Sequence, residues 1–174
     1  MQRAKLMRLV PEFGSIVAML DRFDRLLLNI VQRDDSRTAD SLAREVPLSA
    51  SAIARRLRRL RGEGWIDRTI ALLGPRLTRN RLRAFVTIQL SEHADRAGKI
   101  ALEQRLLGSG AVQFCHEIAG PHDYVALFDC ASIAEFNDAA DSLLGASAAV
   151  RRYESHIVKR DVKFDLFVDL REID

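Results

Sequence analysis

The chain has 174 residues, of which 48% are hydrophobic and 29% charged, with a formal net charge of +3. That length allows one large domain or two small ones with hydrophobic cores. No apolar run approaches the roughly 20 residues that cross a bilayer, and two cysteines are too few for a disulfide scaffold, so we expect a cytoplasmic protein with no membrane segment.

The charge is distributed unevenly along the chain. The stretch from Ser49 to Arg83 contains ten arginines and two acidic residues, which gives it a net charge of +8. Residues 84–174 carry nine basic and fifteen acidic side chains, a net of −6. This division suggests a polyanion-binding part followed by a part with another task.

Residues 1–19 match neither half of the sequence that follows. Their apolar run is interrupted by Pro11, Glu12 and Gly14, so it does not form the core of a secretory signal. We expect an N-terminal extension that is disordered or results from an upstream start codon.

A first helix is predicted over residues 21–33, DRFDRLLLNIVQR. Asp21 is a suitable N-cap, and Asp24 lies in the first turn, where a carboxylate meets the positive end of the helix. The apolar face of this helix comprises Phe23, Leu27, Ile30 and Val31. A short second helix, ADSLAREV, follows Thr38 as its cap and ends at Pro47.

A third, basic helix is predicted from Ser49 to Gly62, SASAIARRLRRLRG. Ser49 is its N-cap, and Gly64 supplies the stop. One side is apolar, because three residues recur at helical spacing; they are Ile53, Leu57 and Leu60. Two helices joined by a short turn, the second one basic, are typical of a helix-turn-helix, whose recognition helix enters the major groove.

The basic face of this helix predicts contact with DNA, although a merely solvated charged face is the alternative. Residues near the helix start are expected to reach base edges, and later arginines to meet phosphates. The backbone amides at the starts of the second and third helices can bind phosphates. Capping alone, however, also explains why Thr38 and Ser49 occur there. The candidate DNA-binding residues are Thr38, Ser49, Ser51, Ala52, Arg55, Arg56, Arg58, Arg59 and Arg61. A dimer would read two half-sites of a partly palindromic operator in double-stranded DNA.

The residues after the third helix complete a first domain over residues 20–73. Residues 65–70 are predicted to form a short strand, as in winged variants of the motif. Gly74 and Pro75 then break the pattern, and residues 74–83 read as a basic linker.

A second domain is predicted over residues 84–174, where the periodicity changes. Strands are expected over 84–90, 112–118, 124–130, 150–158 and 162–168, with helices over 94–107 and 133–144. The order β-α-β-β-α-β is that of a ferredoxin-like sandwich. We therefore predict an α+β fold, an N-terminal winged helix-turn-helix joined to a C-terminal ferredoxin-like βαββαβ sandwich, with one sheet face left for a partner.

Residues 20–164 resemble the Lrp/AsnC (feast/famine) family of bacterial and archaeal transcriptional regulators. LDRFDRLLLNIVQRDDSRTADSLAREVPLSASAIARRLRRLRGEGWI is similar to the family's helix-turn-helix. IAGPHDYV and AVRRYESHIVKRDVKF are similar to its effector-binding half. The resemblance implies a DNA-binding homodimer that often assembles further into octamers. It also implies a small effector, commonly an amino acid, bound where the C-terminal domains meet.

The resemblance also suggests residues for the effector site. The turn after residue 118 would line it with Gly120, His122, Asp123 and Tyr124, and Ser155 in the last strand is a further candidate. Asp123 is the natural partner for an α-ammonium group, whereas His122 is less expected in the family. The alternative is that GPHD is an ordinary hairpin turn.

Other functions receive less support from the sequence. Cysteine and histidine are residue types that bind transition metals, and the candidates here are Cys115, His116, His122 and His156. Because no CxxC or HxxxH spacing occurs, we expect no metal or cofactor. One alternative function is a metal-responsive regulator. Another is a tetrapyrrole (siroheme-type) decarboxylase on the same two-domain plan, but the sequence shows no cluster of acid, base and nucleophile for such an enzyme. A third is an effector-binding oligomerisation module that binds DNA without sequence preference.

Overall fold

The structure, a computed structural model, describes residues 20–170, so the predicted N-terminal extension lies outside the described residues. The chain forms two compact units. The first contains residues 20–71 and 164–170, and the second contains residues 72–163. The sequence predicted a second domain that continued to residue 174, whereas the structure returns the segment after residue 163 to the first unit. Within residues 20–170 no helix is long and apolar enough to span a membrane.

Three helices build the first unit. They are α1 (Arg22–Val31), α2 (Ala39–Leu42) and α3 (Ala50–Gly62). Each begins at the N-cap expected from the sequence, and the caps are Asp21, Thr38 and Ser49. The core between the helices is apolar and includes the fully buried side chains of Leu27, Leu42, Ile53 and Leu60.

Two elements of the first unit differ from the prediction. Helix α2 is shorter than expected and ends at Leu42; the turns that follow still bury Val46. The strand predicted over residues 65–70 is wrong, since residues 67–74 have no regular structure. The described chain offers this stretch no strand to pair with. Trp65 nevertheless packs against the core of the unit.

The second unit is an antiparallel sheet with two long helices. After the short helix α4 (Pro75–Thr78) in the basic linker, the strands are β1 (Leu82–Leu90), β2 (Val112–Glu117), β3 (Tyr124–Cys130) and β4 (Val150–Ile157). The helices are α5 (Arg96–Gly108) and α6 (Ile133–Ala140), and a π-helical turn, Asp141–Gly145, extends α6. The strand order β2-β3-β1-β4 confirms the predicted ferredoxin-like sandwich.

The two faces of this sheet differ in what covers them. Ala84, Val86 and Ile88 of β1 are fully buried in the core that the sheet shares with α5 and α6. Phe85 lies on the opposite face and is 41% exposed. Its ring centroid lies 6.0 Å from that of Phe114 in β2. The predicted alternation is therefore confirmed, and one face is open in the single chain.

The strand predicted over residues 162–168 is wrong. This segment pairs with no strand of the sheet, and its apolar side chains are exposed, with Val162 at 82% and Leu166 at 71%. An extended chain becomes a strand only when a neighbouring strand satisfies its backbone groups. Here side chains of α1 satisfy some of those groups instead.

Candidate nucleic-acid interface and effector turn

Helix α3 buries one side and exposes the other. Its apolar stripe, Ile53, Leu57 and Leu60, is buried in the first unit. An exposed stripe lies on the opposite side, because its members follow one another at spacings of four and three residues. These residues are Ser51, Arg55 and Arg58.

Arg55 and Arg58 are the arginines of α3 whose charge is not neutralised. Neither forms an ion pair with any residue between 20 and 170, and both are exposed. They are three residues apart, which places the two guanidinium groups on one helix face about one turn from each other. Within the described part of the chain, two unpaired positive charges therefore project from the exposed side of α3.

Arg56 and Arg59 point to a buried carboxylate instead. Nη1 of Arg56 lies 2.8 Å from Oδ1 of Asp24, and Nη2 of Arg59 lies 2.6 Å from Oδ2 of the same side chain. Arg56 also contacts Oδ2 of Asp21 at 2.6 Å. The Asp24 side chain is only 2% exposed. These bonds tie α3 to the start of α1 and occupy both arginines.

The capping of α1 explains why a carboxylate is buried at this position. Asp21 accepts hydrogen bonds from the backbone N–H groups of Phe23 and Asp24, and Asp24 accepts one from the backbone N–H of Asp21. Burial raises the pKa of Asp21, but the Asp24 backbone and Arg56 outweigh this effect and hold that pKa below its ordinary value. The hydrogen bonds to Asp24 raise the pKa of both Arg56 and Arg59.

Arg61 is also paired. Its Nη2 lies 2.6 Å from Oδ1 of Asp35, in the turn after α1. The second oxygen of Asp35 accepts a hydrogen bond from the Thr69 hydroxyl at 2.7 Å. Asp35 thus joins the end of α3, the turn after α1 and the chain that follows α3.

The two helix starts are occupied by capping. The hydroxyl of Ser49 accepts from the backbone N–H of Ala52 at 3.3 Å and lies 3.1 Å from the hydroxyl of Ser51. Thr38 accepts from the backbone N–H of Ser41 at 3.2 Å. Ser49 and Thr38 remain exposed and Ala52 is half-buried, so their contact with DNA stays a prediction.

The sequence alone did not identify the carboxylates that organise these arginines. Asp21 and Asp24 were predicted to act at the start of the first helix, and Asp35 was given no role. Their partners are 26 to 35 residues away, so the pairing depends on how α1 packs against α3. The spacing of Asp21 and Asp24 beside a helix with five arginines was the only available signal.

The predicted effector turn follows β2. Gly120 has a φ of 146°, which L side chains rarely adopt. A Cβ added at Gly120 would meet nothing within 4 Å, so the backbone conformation rather than lack of space favours glycine here. His122 is half-buried in the same turn.

Asp123 fixes this turn to the sheet. Its Oδ2 accepts from the backbone N–H of Leu90 at 2.7 Å, and its own N–H donates to the carbonyl of Ile88 at 2.9 Å. Its carbonyl accepts from the N–H of Ile118 at 2.8 Å. One carboxylate oxygen of Asp123 is therefore already engaged.

The structure does not bring the remaining effector candidates together within one chain. Tyr124 is 3% exposed, and its hydroxyl donates to Glu103 at 2.6 Å on the side of the sheet that the helices cover. Burial raises its pKa above the ordinary value. Ser155 is exposed on β4 and pairs with Val86, so β1 separates it from β3. The roles of these residues stay predictions.

The cysteine and histidine side chains are separated by the same alternation. Cys115 packs against the helix-covered core, and burial raises its pKa to about 11. His116 lies on the open face, where its ring stacks on Phe114 at 5.1 Å. Residues 20–170 contain no group of three or more His, Cys, Asp or Glu residues that could hold a metal ion.

Two family models match the chain. The model described as winged helix-turn-helix DNA-binding matches residues 20–67, which contain α1, α2 and α3. The model described as the Lrp/AsnC ligand binding domain matches residues 83–166, which contain the whole sheet apart from the first residue of β1.

Several relatives are named as regulators. The transcriptional regulatory protein DoeX of Halomonas elongata is 31% identical over 145 residues, which cover 83% of this chain and 90% of the relative. The leucine-responsive regulatory protein of Salmonella typhimurium is 30% identical over 146 residues, covering 83% and 87%. The glutamate uptake regulatory protein of Zymomonas mobilis is 30% identical over 122 residues, covering 70% and 74%.

Solved structures share this fold. A transcriptional regulator of Neisseria meningitidis in complex with L-Met superposes with a TM-score of 0.80 at 23% identity, covering 87% of this chain and 97% of that chain. The leucine response regulatory protein LrpA of Mycobacterium tuberculosis gives 0.67 at 29% identity, covering 84% and 97%.

Proposed function

Since the chain belongs to the Lrp/AsnC family of transcriptional regulators, we propose that the exposed stripe of α3, formed by Ser51, Arg55 and Arg58, reads DNA. The protein is a DNA-binding regulator whose second unit is a ligand-binding domain. Its relatives are named as transcriptional regulators, which does not favour a decarboxylase or a metal-responsive regulator. A regulator acts where the DNA is, so we place it in the cytoplasm.

One observation supports this assignment most strongly, namely that Arg55 and Arg58 form no ion pair within residues 20–170, while the other three arginines of α3 are held by carboxylates. Arg55 lies in the first half of α3, the part of a recognition helix that reaches base edges. An arginine there can donate two hydrogen bonds to a guanine, which contributes about 1 to 3 kcal/mol of discrimination. Arg58, one turn further along, suits a phosphate.

Arg56, Arg59 and Arg61 have a different role in this proposal. They brace α3 against α1 and the turn after it, which fixes the direction of the exposed stripe. Thr38 and Ser49, at the starts of α2 and α3, stay candidates for phosphate contacts through the backbone amides of those helices.

A matched pair of variants tests which arginine reads the bases. Arg55→Ala and Arg56→Ala are titrated by fluorescence anisotropy with a duplex from the gene's own upstream region and with a scrambled duplex. Arg55→Ala should reduce the preference for the upstream duplex by about tenfold, because a bidentate base contact is lost. Arg56→Ala should keep most of that preference, because its guanidinium is bonded to Asp21 and Asp24.

The same titration can also contradict this assignment. If Arg56→Ala loses the preference and Arg55→Ala keeps it, the reading face is wrongly assigned. If the wild-type protein does not distinguish the two duplexes, sequence-specific binding through α3 is wrong, and the oligomerisation module with incidental DNA affinity becomes the better account.

The open face of the sheet supports a homodimer. It carries Phe85 and Phe114 next to His116, and a half-exposed aromatic pair of this kind is stabilised when a second apolar surface covers it. A dimer would present two α3 helices to a partly palindromic operator, and further assembly to an octamer is the family's common form. Sedimentation should therefore give a dimer or larger species, whereas a monomer at micromolar concentration would contradict this proposal.

We assign the effector site to the turn with Gly120, His122 and Asp123 where two second units meet. Asp123 offers its remaining carboxylate oxygen to an ammonium group. Tyr124 and Ser155 stay weaker candidates, because one is buried under α5 and the other lies across β1. An amino acid effector is supported by relatives named for leucine and glutamate. Adding L-leucine, L-methionine or L-glutamate to the DNA titration should change the affinity for at least one, and no change with any amino acid would contradict it.

A further inference from the structure

The end of the described chain lies along α1 in an extended conformation. Two reciprocal hydrogen bonds join Gln32 to the backbone of Val168. The Gln32 Nε2 donates to the Val168 carbonyl at 3.0 Å, and the Val168 N–H donates to the Gln32 Oε1 at 2.9 Å. A side-chain amide thus takes the place that a neighbouring strand would have in a sheet.

Asn29, one turn earlier on α1, makes a second pair of bonds. Its Oδ1 accepts from the N–H of Leu170 at 3.1 Å, and its Nδ2 donates to a carboxylate oxygen of Asp169 at 3.3 Å. Asn29 is only 8% exposed, although asparagine is unusual on a buried helix face. A buried amide needs hydrogen-bond partners, and the segment supplies them.

Two side chains of the segment give it a fixed position. The ring of Phe167 lies 3.9 Å from the guanidinium carbon of Arg33, a distance at which a cation and an aromatic face attract each other. Leu170 packs against the core of the first unit. Phe167 also lines a cleft of about 560 Å³ together with Leu26, Ile30 and Arg37.

The contacts have the pattern of peptide recognition. Val168 and Leu170 are two residues apart, so their backbone groups point to the same side of an extended chain. Asn29 and Gln32 are three apart, so their amides lie on one helix face. Immediately before the segment, Phe164 and Leu166 are 59% and 71% exposed.

We propose that Asn29, Gln32 and Arg33 form a peptide-docking site on α1, and that residues 167–170 are its releasable intramolecular ligand, which links the second unit to DNA binding. The proposal rests on the DNA-binding function proposed above. Because the segment is covalently attached, its effective concentration is high and a weak site suffices to keep it bound. The other end of the segment leads through residues 158–166 to β4.

The docked segment lies on the helix that organises the arginines of α3. Asp24, in the first turn of α1, holds Arg56 and Arg59, and Asp35, in the turn after α1, holds Arg61. Anchoring the last turn of α1 therefore keeps the adjacent Asp35 in place. Release of the segment, by a movement of β4 for example, would loosen that turn and weaken binding to DNA.

Hydrogen exchange and DNA affinity, measured on the full chain, test this proposal together. The variants are Gln32→Ala, which removes the reciprocal bonds, and Gln104→Ala, a control at an exposed glutamine of α5. In the wild type and the control, the amide of Val168 should exchange slowly, and in Gln32→Ala roughly tenfold faster. Affinity for the upstream duplex should fall about fivefold in Gln32→Ala, within the usual range of coupling between sites, and stay unchanged in the control.

A substitution in the docked segment tests whether the effect of Gln32→Ala is merely a local change in α1. Phe167→Ala alters the segment and leaves α1 intact, so it should also speed exchange at Val168 and weaken DNA binding. An unprotected Val168 amide in the wild type, or equal protection in Gln32→Ala, would overturn the docking. Faster exchange with unchanged DNA affinity would overturn the link to DNA. If the wild type binds no DNA, the proposed function fails while the exchange data still decide the docking.

Discussion

At the scale of single residues, Asp24 determines how the arginines of α3 are used. Its buried carboxylate holds Arg56 and Arg59, so those two side chains are drawn to α1. Arg55 and Arg58 find no such partner within residues 20–170. A single acidic residue thereby separates bracing arginines from arginines that are free to bind a polyanion.

Replacing Asp24 by Asn should destabilise the first unit. The amide keeps a similar shape but leaves both arginines without a counter-charge, and breaking a buried ion pair costs about 3 to 5 kcal/mol. Because Arg56 and Arg59 are 26% and 42% exposed, water can partly replace the carboxylate, so we expect a loss of about 2 kcal/mol in the free energy of unfolding. Urea denaturation measures this loss.

The control for that measurement is Asp67→Asn, because the Asp67 side chain is 89% exposed beside Arg68. Exposed ion pairs contribute little, so this variant should unfold at the wild-type urea concentration. Equal stability of Asp24→Asn and wild type would show that the buried carboxylate does not hold α3 in place.

What the sequence predicted at this scale was local. Ser49, Thr38 and Asp21 act within their own helices, and their capping follows from residue type and position alone. The ion pairs of Asp24 and Asp35 cross between helices, so they depend on the packing angle of α1 and α3. For the same reason, the sequence divided the arginines by their position along α3, whereas the structure divides them by whether a carboxylate of the first unit holds them.

At the scale of elements, β2 places neighbouring side chains in two environments. Cys115 faces the covered core, where burial raises its pKa to about 11, with the charge of Glu103 as a smaller cause. His116 faces the open side and stacks on Phe114. Alternation along a strand explains this separation, because successive side chains point to opposite faces of the sheet.

The raised pKa of Cys115 predicts how the alkylation rate of its thiol depends on pH. Only the thiolate is nucleophilic, and below pH 11 its fraction falls about tenfold per pH unit. Alkylation by iodoacetamide should therefore be slow at pH 8 and rise continuously to about pH 11, the pKa of Cys115. Peptide mass spectrometry follows the modification at this site, with Cys115→Ser as the blank. A rate that levels off near pH 8.5 would mean that Cys115 is not buried in this way.

Two predicted elements failed for a common reason. Residues 65–70 and 162–168 have the alternation and composition of strands, but a strand also needs a partner to satisfy its backbone. Periodicity describes which side chains share a face and does not show whether a second strand is adjacent. The four strands that were confirmed all lie in one sheet, where each has such a neighbour.

At the scale of the whole molecule, the uneven charge correctly indicated two parts with different tasks. The family models assign DNA binding to the basic part and ligand binding to the acidic part. The return of residues 164–170 to the first unit was not predictable from composition, because it depends on a few hydrogen bonds to Asn29 and Gln32. The candidate effector residues are also not brought together in one chain, since Asp123 and Ser155 lie on opposite sides of β1.

The central claim is that the arginines of α3 with no ion pair within residues 20–170, and not the total charge of the helix, determine contact with DNA. The dependence of DNA affinity on salt concentration tests it most directly, with Arg58→Ala and Arg59→Ala as adjacent substitutions of equal charge. Arg58→Ala should lower the slope of log affinity against log salt by about one, the effect of losing one phosphate contact. Arg59→Ala, whose guanidinium is bonded to Asp24, should leave the slope close to that of the wild type. Equal losses in both variants, or a larger loss in Arg59→Ala, would contradict the assignment.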